Sequence, residues 1–128
     1  MKKLCLIVGI AISLLVLGCS KNNQANKIQY ENYRTVRSSK VIIISPENRN
    51  IDDLKLLGEQ LKRENASASI AWVSVFDDRK AADLFGDTSD WSEDTEKFYE
   101  NHFIASYNKN NNTKLDQFLI HFPENEEE

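Results

Sequence analysis

The chain has little cysteine and no cluster of basic residues, and each scarcity removes a class of function. Its two cysteines are Cys5 and Cys19. Residues 20–128 therefore carry no thiol, which excludes disulfides, thiolate metal ligands and cysteine nucleophiles from a domain built there. Lysine and arginine are scattered, and 16 of them against 20 acidic residues give a formal charge of −4. An acidic chain without a basic patch lacks the electrostatic footprint of a nucleic-acid binder or of a protein drawn to anionic headgroups. There is no internal repeat and no Gly-x-Ser-x-Gly nucleophile elbow. Long uncharged apolar runs are also missing, with one exception at the amino terminus.

That exception runs from Leu4 to Leu17, 14 residues without a charge, after Met1-Lys2-Lys3. A spanning helix needs about 20 apolar residues, so the length and the positive start fit the hydrophobic region of a secretory signal. The next residues, Val16-Leu17-Gly18-Cys19, resemble the lipobox of bacterial lipoproteins, with Leu17 where a small residue is more usual. The resemblance implies that 1–18 is a signal peptide cleaved after Gly18. It also implies that Cys19 takes a diacylglyceryl thioether and, on its new amine, a further acyl chain of the palmitate type. Two or three chains anchor a protein stably at about 0.8 kcal/mol per buried CH₂, where one chain holds it marginally. Membrane lipid is then the first expected partner. Ser20, in place of Asp, resembles the signal for outer-membrane export in a Gram-negative cell; otherwise the address is the outer face of the plasma membrane. Removing Lys2 and Lys3 leaves 14 basic and 20 acidic residues, a charge of −6. Residues 19–27 read as the lipidated cysteine and a polar tether.

The remainder predicts one α+β domain over 28–122, followed by an acidic tail at 123–128. Val41-Ile42-Ile43-Ile44-Ser45 is a β-branched strand, apolar on both faces and so placed inside its sheet. A weaker strand over 28–37 belongs at an edge, antiparallel to it. Asn50 caps a helix over 51–64, with Asp52 and Asp53 at its positive start and Lys62 and Arg63 at its end. Ile51, Leu54, Leu57, Gly58 and Leu61 form its apolar stripe. Strand 70–76, Ile-Ala-Trp-Val-Ser-Val-Phe, completes a strand–helix–strand crossover with parallel strands in a small mixed sheet. Asp77 or Asp78 caps a short helix through Ala81, Ala82, Leu84 and Phe85. An acidic loop over 86–95 and a brief helix near 95–101 precede a C-terminal β-hairpin of 102–108 and 115–122. With Asn111-Asn112 as a two-residue turn, Phe103 faces Ile120, Ala105 faces Phe118, and His102 faces His121.

The segments Trp72-Val73-Ser74-Val75-Phe76-Asp77-Asp78-Arg79-Lys80-Ala81-Ala82-Asp83-Leu84-Phe85 and 97–120, behind a Leu- and Lys-rich helix, look like those of a set of small uncharacterised bacterial lipoproteins and exported proteins. The likeness spans about 28–122 and its motifs are structural. It implies the fold and carries no catalytic, ligand or cofactor residue with it.

Four residues stand out as a candidate polar site. Asp77 and Asp78 follow a strand whose parallel neighbour ends at Ser45, and ligands in open α/β sheets favour such carboxyl ends. Two carboxylates there can hold a cation or divide acid and base roles, although helix capping alone accounts for an aspartate at that place. His102 and His121, facing each other, could begin a zinc site, but no third or fourth ligand is fixed. Asp87, Asp90, Glu93 and Asp94 fail the calcium-loop template, because Trp91 falls at its fifth position and Ser92 at its glycine. Trp91 is expected to tuck onto the domain; exposed, it would be an anchor for a protein partner. These readings assign no catalytic residue, metal or cofactor. They favour a lipid-anchored envelope module that binds a protein or stabilises an assembly, over a hydrolase or metal-dependent enzyme using Asp77/Asp78 or His102/His121.

Overall fold

Aliphatic β-branched residues and spaced leucines divide the chain into strands and one long helix, and their periods set which faces meet. The computed structural model describes residues 27–121. The signal, Cys19, nearly all of the tether and the acidic tail lie outside the described residues. In chain order the elements are β1 (Tyr30–Val36), β2 (Ser39–Ile44), α1 (Ile51–Glu64), β3 (Ile70–Phe76), α2 (Arg79–Leu84), α3 (Glu93–His102), β4 (Phe103–Asn110) and β5 (Leu115–Ile120). A 3₁₀ turn, Pro46–Asn48, links β2 to α1. The fold class is α+β: one mixed sheet in the order β1-β2-β3-β4-β5, with β2 and β3 parallel and every other pair antiparallel.

α1 forms where its caps and stripe place it. Asn50 accepts from the Asp53 N–H at 2.9 Å, and Asp52 and Asp53 sit in the first turn, opposite Lys62 and Arg63 in the last. Leu54, Leu57 and Leu61 pack on Ile42, Ile44, Val73, Val75, Ala105 and Tyr107, which share one face of the sheet. Gly58 lets the helix sit close, because a Cβ there would lie 2.7 Å from the Phe118 ring. Two buried polar side chains close the ends of this layer. Gln60 accepts from the Ile28 N–H at 3.0 Å and donates to the Ile28 carbonyl at 3.1 Å, pinning the entry to β1. The Lys109 ammonium donates to the carbonyls of Asn65 (2.9 Å) and Ala66 (3.1 Å), where orphan groups at the negative helix end favour a cation.

The opposite face is covered at one end only. Val41 and Phe76 pack against Ala81 and Ala82 of α2 and half-buried Phe85, Phe98, Tyr99 and Phe103. α3 starts earlier than the expected 95–101, because Ser92 accepts from the Thr95 N–H at 3.2 Å and Glu93, Asp94 and Glu96 occupy its first turn.

The hairpin is where the sequence reading is corrected. Its loop is Asn111–Lys114 and the register moves by two residues, so that Ala105 faces Ile120 and Tyr107 faces Phe118. The cause is local. Asn110 accepts the Asn112 N–H on its side chain at 3.0 Å and the Thr113 N–H on its carbonyl at 3.2 Å, and Lys114 closes the turn at φ 58°. A shift of two keeps Ala105, Phe118 and Ile120 on the expected face. Phe103 leaves it, because the register between β3 and β4 shifts at Val75/Phe76 and Ile104 has no opposite residue. That bulge turns Phe103 toward Phe76. His102 ends α3 and does not enter the hairpin, so it does not face His121.

Candidate functional site

β2 and β3 run parallel and end side by side, so the residues just beyond them meet at one end of the sheet. Ser45 and the 3₁₀ turn follow β2; Asp77 and Asp78 follow β3. The two aspartates then divide. Asp78 turns to α2 and accepts the Lys80 and Ala81 N–H groups at 2.8 and 3.1 Å, as an N-cap. Asp77 turns inward, with 5% of its side chain exposed. A carboxylate so buried must be paired. His102 Nδ1 donates to Oδ1 at 2.7 Å, and Arg49 Nη1 donates to Oδ2 at 3.3 Å. Three elements meet there: the turn after β2 through Arg49, the end of β3 through Asp77, and the last residue of α3 through His102.

This arrangement has two chemical capacities. As a clamp it holds the end of α3 and the turn before α1 to the sheet. As an acid–base pair, a carboxylate on Nδ1 fixes the tautomer that leaves Nε2 as the acceptor, turned away from Asp77. The imidazole also packs against Phe98, ring centres 4.7 Å apart.

His121 lies with other partners. Its Nε2 meets the Ser106 hydroxyl at 2.9 Å, its ring packs on Phe103 at 4.6 Å, and burial pushes its pKa down, toward the neutral form. Serine and imidazole are thus brought together, but Ser106 lies within β4, paired with Ser74 and Leu119 on either side. The ladder occupies the backbone donors an oxyanion hole would need, and no carboxylate among the described residues orients the other ring nitrogen. Among the described residues, no three of His, Cys, Asp and Glu are placed to hold a metal ion.

Trp91 is half-buried. Its ring packs on Tyr99 with centroids 4.9 Å apart, and Nε1 donates to Asp87 at 3.4 Å. Asp87 also accepts the Ser89 N–H, and these bonds hold its carboxyl below the usual range. The 86–92 segment is therefore folded back on α3. The residue that sequence reasoning missed is Arg49. It follows a short turn without periodic pattern, and only tertiary closure gives it a partner; its one sequence signal is a cation two residues before a helix start. Cys19 lies outside the described residues.

No family model, curated protein or solved structure matches this chain. Among the described residues no helix is long and apolar enough to cross a membrane.

Proposed function

We propose that this chain is a lipid-anchored lipoprotein of a bacterial cell envelope, and that its domain is a non-catalytic module for protein binding or assembly. The anchoring part is supported by the charged start, the short apolar run and Val16-Leu17-Gly18-Cys19. The observation that carries the module reading is the use made of the polar groups at the sheet's carboxyl end. Asp78 caps a helix, and Asp77 ties Arg49 and His102 together. Each is engaged in holding elements in place. One geometric feature favours a second reading, a hydrolase: the bond from His102 to a buried carboxylate leaves a positioned imidazole nitrogen, which is what a general base requires.

Two variants test these readings separately. Cys19→Ser removes the only thiol that can accept the diacylglyceryl group, and an unprocessed precursor without labelled palmitate is expected. A variant that still takes up label and matures normally would sink the anchoring reading. His102→Asn keeps an amide donor for Asp77 and removes the basic nitrogen. The module reading expects the cellular phenotype of wild type. A folded, correctly localised His102→Asn protein that behaves like a deletion strain points instead to acid–base chemistry.

A further inference from the structure

The two outer strands of the sheet are finished differently. β1 carries Glu31 and Arg34 and is interrupted by a register shift between Asn32 and Arg34. Charges and bulges of that kind keep an edge from pairing. β5, Leu-Asp-Gln-Phe-Leu-Ile, pairs with β4 in unbroken register, without proline and with one charge. That charge is already engaged, because Asp116 accepts the Tyr107 hydroxyl at 2.8 Å. The His121 N–H donates to the Ile104 carbonyl at 2.7 Å, which sets the alternation along the strand. Odd-numbered residues turn their backbone groups to β4, and Asp116, Phe118 and Ile120 turn theirs to the open edge. Apolar side chains flank that edge on both faces. Leu119 is 41% exposed on one, and Ile51 is 37% exposed on the other. Ile51 lies on the same side of α1 as Gly58, which sits over Phe118. Among the described residues nothing pairs with this edge.

We propose that β5 is a dimerisation edge, on which β5 of a second copy of this chain adds antiparallel about a two-fold axis normal to the sheet. The unpaired groups call for an extended strand, and one register satisfies them best. With Phe118 facing Phe118 of the second copy, each outward N–H and C=O from Asp116 to Ile120 finds a partner in both chains. A slip by two residues sets one of the three against the hairpin loop in one direction and beyond the end of β5 in the other. The chosen register sets Asp116 beside Ile120 and pairs the aromatic rings. The inference deepens the lipid-anchored module reading and rests on it in one respect, the direction of the tethers. A two-fold axis normal to the sheet leaves α1 of both copies on one side, the side where Gln60 pins Ile28. Both tethers then reach one bilayer, whereas face-to-face pairing would point them apart.

In this register Gln117 of one copy faces Leu119 of the other, on the face away from α1 and outside both buried clusters. Sedimentation velocity of the full mature protein in detergent, over a concentration series, reads the association. Wild type is expected to dimerise. Gln117→Lys/Leu119→Lys opposes like charges twice across the axis and should weaken association about tenfold or more. Gln117→Lys/Leu119→Glu opposes unlike charges and should restore it, which also shows that the substitutions leave the fold intact. A wild-type monomer at every concentration, a Lys/Lys variant that dimerises like wild type, or capture of a different protein at this edge in place of a second copy overturns the proposal. Palmitate labelling of the same wild-type preparation separates the two readings. A dimer without label keeps the dimer and removes the anchor; a labelled monomer does the reverse.

Discussion

The two faces of the sheet are built by different means. On the α1 face, three leucines at helical spacing meet alternating strand residues, and Ile42, Leu54, Leu57 and Val75 are at most 1% exposed. Polar groups there are few: Gln60 and Lys109 finish chain ends, and the Tyr107 hydroxyl donates to Asp116. On the other face two short helices cover one end of the sheet with aromatic rings. Phe76 packs on Phe103 with centroids 5.2 Å apart, on Tyr99 at 5.7 Å and on Phe85 at 6.1 Å. A buried carboxylate bonded to a guanidinium and an imidazole fastens the rim of that cluster. The first face follows from periodicity, which acts along one element. The second depends on where separate elements return, and it needs directional bonds to fix α3.

Three experiments sharpen that contrast. The largest effect is expected at Phe76, fully buried at the centre of the aromatic cluster. Phe76→Ala should cost about 3–5 kcal/mol in urea unfolding, because a large cavity opens among rings that relax only in part. A loss below about 1 kcal/mol would mean that α2 and α3 contribute little to stability. The next effect tests the close approach on the α1 face. Gly58→Ala places a methyl group 2.7 Å from the Phe118 ring, and overpacking of that kind costs about 1–3 kcal/mol. The same change in a Phe118→Ala background should cost much less; equal costs in both backgrounds would show that the two do not touch.

The smallest effect is pH-dependent. Burial lowers the His121 pKa in the folded protein, so the unfolded chain binds the proton more readily. Stability is then complete above the ordinary histidine range, near 6.5, and falls as pH drops through it, levelling off below the folded pKa. His121→Gln should flatten that part of the profile. Tyrosine acts at the alkaline end. Burial and the bond to Asp116 push the Tyr107 phenol up to about 12 from 10.0, and stability should fall as pH rises across that interval.

How far the sequence reveals this molecule follows the same division. The bounds of α1 and β3 are legible because caps, stripe and apolar run mark them locally. The parallel pairing of β2 and β3 follows from the helix between them. The hairpin register is not legible, since Asn111-Asn112 invites a tight turn while Asn110 captures the next two free N–H groups and lengthens the loop. The polar site is legible by half. Topology puts Asp77 and Asp78 at the carboxyl ends of parallel strands, and capping predicts the role Asp78 takes. Nothing local tells that Asp77 turns inward, because its partners come from a turn 28 residues earlier and a helix end 25 residues later. The longer loop likewise sets His121 opposite Ile104, and His102 ends α3, so the histidines that simple alternation brings together stay apart.

The central claim is that the polar constellation beyond β3 is a structural clamp. A double-mutant cycle of Asp77→Ala and His102→Ala, measured by urea unfolding near neutral pH, tests it most directly. A hydrogen-bonded pair with one partner buried and the other in part exposed should show a coupling of about 1–3 kcal/mol, each single change costing nearly as much as both. Asp78→Ala, which removes a cap alone, should cost about 1 kcal/mol and add independently to either. A coupling between Asp77 and His102 near zero would contradict the clamp and return the pair to the acid–base reading.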